Sequence, residues 1–277
     1  TSLLTIAAFT CLINCSETNN TSVTHEYSEW PTAYNRGIPE GTVLTNFGTP
    51  GQVLTVTEDG AVFDGLNILS SGQYFDINVM ADNVTFRNCR YGNIVIGYGQ
   101  GGYTNLLIED CESTVNGCGG PAEYTIRRCY IHPAGDGDGP RIVGSNVIIE
   151  DNYIQIAGGN HFDCIQALDV SPGVQSTNVI IRHNTLENAG HATSCINVTG
   201  RNFLIENNLM AGAGFTIYTS AEVTHMQVIN NRFSTKFYQD CGYFGLLYNP
   251  WNSSGEGNQW SGNVWHETGL PCDPVNP

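Results

Sequence analysis

Seven segments of this 277-residue chain align with one another without a gap: N83-V-T-F-R-N-C89, N105-L-L-I-E-D-C111, E123-Y-T-I-R-R-C129, N146-V-I-I-E-D-N152, N178-V-I-I-R-H-N184, N202-F-L-I-E-N-N208 and H225-M-Q-V-I-N-N231. Their central apolar residues are Phe86, Ile108, Ile126, Ile149, Ile181, Ile205 and Val228, at steps of 22, 18, 23, 32, 24 and 23 residues. G60-A-V-F-D-G-L66 is a weaker copy, 23 residues before Phe86. A unit this short, rich in β-branched residues, buries its apolar face only against its neighbours, so the repeat predicts a solenoid of β-coils, one coil per unit. The 32 glycines and the low share of charged residues, 13%, suit an all-β chain with many turns.

Two columns set the register. The residue after each apolar anchor alternates Arg87, Glu109, Arg127, Glu150, Arg182, Glu206. Stacked as parallel strands about 4.8 Å apart, each Arg lies between two Glu, an order that a helix or unrelated strands would not require. Three residues past the anchor the column reads Cys89, Cys111, Cys129, Asn152, Asn184, Asn208, Asn231. Stacked Asn amides bond from coil to coil at a turn, and stacked cysteines pack as small hydrophobes.

With its Asn ladder at one turn, the chain resembles the right-handed parallel β-helix proteins, the solenoids of pectate lyases, polygalacturonases and phage tailspikes. G37-I-P-E-G-T-V-L44 and G65-L-N-I68 are similar to the start of uncharacterised secreted bacterial β-helix proteins. The expected fold is therefore all-β, a single-stranded right-handed parallel β-helix with three strands per coil. The third strand is seen in R141-I-V143, C164-I-Q-A-L168, C195-I-N-V198 and F215-T-I-Y218, with Ile142, Ile165, Ile196 and Ile217 expected in one column. Residues 1–24 are read as a signal-peptide remnant or linker, and residues 25–277 as the β-helix with N- and C-terminal caps. Gly257 to Pro277 is the C-terminal cap.

A net charge of −16 with a single lysine, Lys236, argues against nucleic acid or an anionic membrane as partner. Ten cysteines without a C-x-x-C pair argue against zinc ribbons and thioredoxin-like motifs. Cys164 with Cys195, and Cys241 with Cys272, are expected disulfides. The apolar run S2-L-L-T-I-A-A-F-T-C-L-I13 is too short to span a membrane and suits a signal-peptide core, so a secreted monomer is expected, with a lipid-anchored surface form as the alternative.

Chemistry gathers at the turn entering the third strand. Three consecutive coils read G135-D-G-D-G-P-R141, G159-N-H-F-D163 and G190-H-A-T-S194. Asp136, Asp138, Arg141, His161, Asp163 and His191 are thus expected as stacked neighbours. Asp and Gly are ordinary turn residues; two imidazoles and a guanidinium are not. The insertion D169-V-S-P-G-V-Q-S-T177 joins the middle of these coils, either as a groove wall or as a tolerated loop.

D138-G-P-R-I142, D163-C-I-Q and G190-H191 resemble, in the same chain order, the N-T-D-G, D-D-C-I and G-H-G motifs of polygalacturonases. Phe162 stands where that family has the first Asp of its pair, and its R-I-K motif has no counterpart here. The resemblance implies hydrolysis by paired carboxylates, with Asp138 and Asp163 remaining. The residues themselves favour a lyase acting on a uronate-containing polysaccharide. Arg141, or Ca²⁺ held by Asp136, Asp138 and Asp163, would neutralise the substrate carboxylate, and His161 or His191 would take the proton. The third reading is a non-catalytic carbohydrate-binding or surface protein. Tyr243, Phe244, Tyr248 and Trp251 could then stack on sugars, although packing beneath the cap is the expectation for them.

Overall fold

The computed structural model describes residues 29–71, 75–97, 102–113, 118–120, 122–132, 137–156, 161–167, 176–191, 193–220, 223–249 and 251–274. The signal-peptide region, Asp136 and most of the 169–177 insertion lie outside them. Among the described residues every strand pair is parallel, and the strands form three sheets. In the described residues sheet A has 10 strands, from Thr45–Phe47 to Val264–Trp265; sheet B has 9, from Leu54–Val56 to Gly245–Leu247; sheet C has 9, from Val62–Asp64 to Gln259–Ser261. Each neighbour within a sheet is three strands away in sequence. The chain thus visits the sheets in turn and climbs one rung per circuit, as the repeat requires.

The repeat segments are the strands of sheet C. Phe86 pairs with Ile108, Ile108 with Ile126, Ile126 with Ile149, and so on through Val228, and all seven anchors are fully buried. Phe63 joins below Phe86, as the weaker copy predicts. Arg127 lies beside Glu109 and Glu150, and Arg182 beside Glu150 and Glu206, so the alternating column is in register. The ion pairs reach to the preceding coil: Arg87 to Asp64, Arg127 to Glu109, Arg182 to Glu150.

The turn from sheet C to sheet A owes its shape to two positions. Asn88, Asp110, Arg128, Asp151, His183, Asn207 and Asn230 all adopt φ between 49° and 59°, and Gly262 takes the same place with φ 66°. The next residue is the ladder Cys or Asn. Asn184 Nδ2 donates to Asn208 Oδ1 at 3.0 Å, and Asn208 Nδ2 to Asn231 Oδ1 at 3.0 Å. Asn231 Nδ2 continues to Asn263 Oδ1 at 3.1 Å. Asn263 was not foreseen. It shows that residues 257–265, expected as a cap, are a further coil, with Trp260 on Val228 in register and its indole stacked on Phe233. Residues beyond turn back on that coil through an antiparallel bridge between Val264 and Pro271.

Two more expectations are corrected. Ile165, Ile196 and Ile217 share a column, but Ile142 pairs with Ala167. The turn before Ile165 therefore holds two more residues than a constant period allows. Cys164, Cys195, Cys241 and Cys272 are free and buried, as are Cys89, Cys111 and Cys129. For Cys164 and Cys195, beside the paired Ile165 and Ile196, in-register parallel strands keep Cβ atoms near the strand spacing of about 4.8 Å, beyond the roughly 3.5–4.5 Å that a disulfide needs. The Cys241 thiol instead meets the Met210 carbonyl at 3.4 Å.

The described part of the N-terminal cap is a strap along the flank. Trp30 stacks on His183 with centroids 5.4 Å apart, Arg36 pairs with Asp151, and Gly37 N donates to Arg128 O. A Cβ at Gly37 would press on the Tyr130 side chain, and its φ of 93° also favours glycine. Among the described residues, no helix is long and apolar enough to cross a membrane.

Candidate functional site

Three turns entering sheet B stack as expected. Gly139 N donates to the Asp163 carbonyl, and Cys164 N to the Ser194 carbonyl, at 2.9 and 3.3 Å. The coils press so closely there that a Cβ at position 139 would run into the Cys164 carbonyl, which leaves glycine.

The polar side chains part into two groups. Asp138 and Asp163 turn in. Asp163 N donates to Asp138 Oδ1 at 2.9 Å, and Asp138 Oδ2 accepts Nε and Nη2 of Arg141 at 3.1 and 2.7 Å. Asp163 Oδ1 accepts Ser194 N and Oγ at 2.9 and 2.6 Å; its Oδ2 accepts Gln166 Nε2 at 2.9 Å and Asn197 Nδ2 at 3.3 Å. Asp163 is fully buried. Burial pushes its carboxyl up to about 6, helped by the charge of Asp138, while the bonds from Ser194, Gln166 and Asn197 pull it back.

His161 and His191 turn out. Both are exposed and line one cavity of about 470 Å³, with Thr193, Asn197, Gly214, Phe215, Tyr218 and Phe244. His161 has φ 77° and Thr193 φ 32°, and for a β-branched residue such as Thr193 that backbone is rarely adopted. Such strain concentrates at working sites. Along sheet B the outward column reads Arg141, Gln166, Asn197, Tyr218 in register.

The aromatic wall corrects the expectation of packing beneath the cap. Tyr243, Phe244 and Tyr248 are 57%, 62% and 46% exposed. Only Trp251 packs toward the last coil, edge-on to Trp260 at 5.5 Å. Tyr248 stacks on Tyr218 with centroids 3.8 Å apart, Phe215 stands edge-on to both, and Tyr243 lies 5.4 Å from His191. The segment that brings Tyr243 there folds back over earlier coils. Lys236 Nζ reaches Glu187 at 2.6 Å, and the Tyr238 hydroxyl donates to the Ala189 carbonyl at 3.0 Å.

The structure thus brings His161, Asp163, His191, Asp138 and Arg141 into one neighbourhood, with only the imidazoles lining the cavity. Gln166, Ser194, Asn197 and Phe215 were missed, although each falls in or beside the quoted third strands. Among the described residues, no three His, Cys, Asp or Glu converge as a metal site would need. Asp136, the remaining expected calcium ligand, is outside them.

Residues 64–233 match the family described as the right handed beta helix region, more than half of the chain. The chain belongs to that family, and its coils are right-handed. No curated protein and no solved structure gives a significant match.

Proposed function

We propose that this chain acts on a uronate-containing polysaccharide, binding it along sheet B and cleaving it by β-elimination at the His161–His191 pocket. The β-helix domain is compatible with polysaccharide-active or polysaccharide-binding proteins. The observation that carries the finer reading is the cavity lining: among the described residues it holds two imidazoles beside aromatic rings, and no carboxylate.

Hydrolysis needs two carboxylates that reach the scissile bond, whereas Asp138 and Asp163 lie buried and occupied. Elimination needs a base, and imidazole is the side chain suited to that near neutral pH. In this scheme one imidazole takes the proton at C5, the C4–O bond breaks, and the leaving oxygen takes a proton from the second. A C4–C5 double bond remains, conjugated with the carboxylate. Arg141, two rungs from Asn197 and half-exposed, would meet a sugar carboxylate while Asp138 holds its Nε and Nη2. The rings of Phe215 and Phe244 offer apolar surface for sugar faces.

The test incubates the protein with polygalacturonate, alginate and hyaluronan, each with calcium and with a chelator. Ultraviolet absorbance of the conjugated double bond supports elimination. New reducing ends without it support hydrolysis, and retention without cleavage supports a binding protein. His161→Ala and His191→Ala are each expected to lower the elimination rate at least about a hundredfold.

A further inference from the structure

The buried Asp163 carboxylate does more than fill a turn. Its Oδ2 receives the amide nitrogens of both Gln166 and Asn197, which are register partners on the outward face of sheet B. An amide with its nitrogen held inward has its carbonyl oxygen turned the other way. For Gln166 the consequence is visible: the residue is 8% exposed, and its Oε1 is buried without a hydrogen-bond partner. Asn197 lines the cavity with its Nδ2 already committed. Thr193 Oγ1, on the same cavity, is likewise buried and unpartnered. Unpaired polar atoms of this kind are unfavourable unless a ligand satisfies them.

We infer that Asp163 is a positioning residue that, with buried Gln166 as a brace one rung below, turns the Asn197 carbonyl toward the cavity as an acceptor for a sugar hydroxyl. Ser194, through its N–H and hydroxyl, holds the other carboxylate oxygen and so locks the rotation of Asp163. The site is selective for hydroxyl donors, because a carbonyl oxygen has nothing to offer another acceptor. This inference rests on the glycan reading of the pocket and adds which sugar groups it reads.

Asp163→Asn keeps the shape but puts an NH₂ group where Oδ2 stood, so the amides of Gln166 and Asn197 must reverse and present nitrogen. In ¹⁵N-labelled protein, the side-chain NH₂ resonances of both residues are expected to shift, with backbone resonances of distant coils unchanged. On a polymer that the wild type cleaves or retains, KM or Kd is expected to rise about tenfold or more, with kcat within about threefold. Adding Asn197→Asp to Asp163→Asn restores an acceptor at position 197 and is expected to recover part of the loss. Polygalacturonate O-acetylated at both ring hydroxyls is expected to lose retention by the wild type. Unmoved NH₂ resonances would overturn the inference, as would equal retention of the acetylated polymer, or a loss confined to kcat. If Asp163→Asn does not fold, Asn197→Ala replaces it: binding equal to wild type sinks the acceptor. Should the wild type retain none of the polymers, the glycan reading falls, and the NH₂ resonances alone decide whether Asp163 positions the amides.

Discussion

Two carboxyls in this molecule, one half-buried and one fully buried, respond to pH in opposite senses. Glu112, on sheet A, is held down to about 2 by hydrogen bonding to His132 and by Arg90, against an ordinary value of 4.5. Its folded state keeps the charge longer than the unfolded chain, so its contribution is present above about pH 4.5 and is lost as pH falls toward 2. Asp163 is raised from 3.8 to about 6, so the folded protein holds that proton longer and stability from this group declines as pH rises through that window. Glu112→Gln is expected to cost about 1–2 kcal/mol at pH 7 and almost nothing at pH 2. Asp163→Asn is expected to flatten the decline between pH 4 and 6. Denaturant unfolding at a series of pH values checks both. Asn208, in the middle of the ladder, carries a larger load: it receives Asn184 N and Nδ2 and donates to the carbonyls of Ile181 and Glu206. Asn208→Ala strands several of these groups in a dry turn and is expected to lose about 3 kcal/mol or more in the same measurement.

For strands and turns, what the sequence showed and what it hid follow one physical division. Sheet C was legible because its anchors recur with little change and a strand tolerates no insertion without turning its apolar face outward. Turns absorb extra residues freely, which is why Ile142 was placed two positions out of its true pairing with Ala167. The candidate site divides likewise. His161 and His191 stood out as residues that turns do not select. Gln166 and Asn197 read as ordinary outward strand positions, since nothing in a single strand says that a buried carboxylate waits beside them. Tyr243 and Phe244 come from a loop that folds back across coils, a path without periodicity. The Arg/Glu column was plain in the sequence, yet its pairs are part-exposed, so breaking one should matter little. Glu150→Gln is expected to lower stability by less than about 1 kcal/mol, and an Arg182/Glu150 double-mutant cycle to return a coupling of about 0.5 kcal/mol.

Across the whole molecule, the sulfurs and the strap set the behaviour. Among the described residues seven cysteines are buried thiols, and burial pushes Cys241 up to about 12. A thiol reagent is therefore expected to leave these seven untouched in the folded protein and to label at least seven after denaturation; fewer would mean that bridges form. The strap has a consequence of a different kind. A stack in which each rung touches only its neighbours can fray from an end, coil by coil, every released residue joining a free tail. Here Arg36, just ahead of the first coil, is fastened to Asp151, 115 residues further on. Peeling away the first coils would then release a closed loop, pinned at both ends, and a pinned loop gains less entropy than a tail, by on the order of 2–4 kcal/mol. The strap is a buckle that makes the early rungs melt together with the middle ones. Unfastening it with Arg36→Ala and Trp30→Ala is expected to speed amide exchange in the strands from Thr45 to Ile96 while those from Val179 to Ile229 keep their rates.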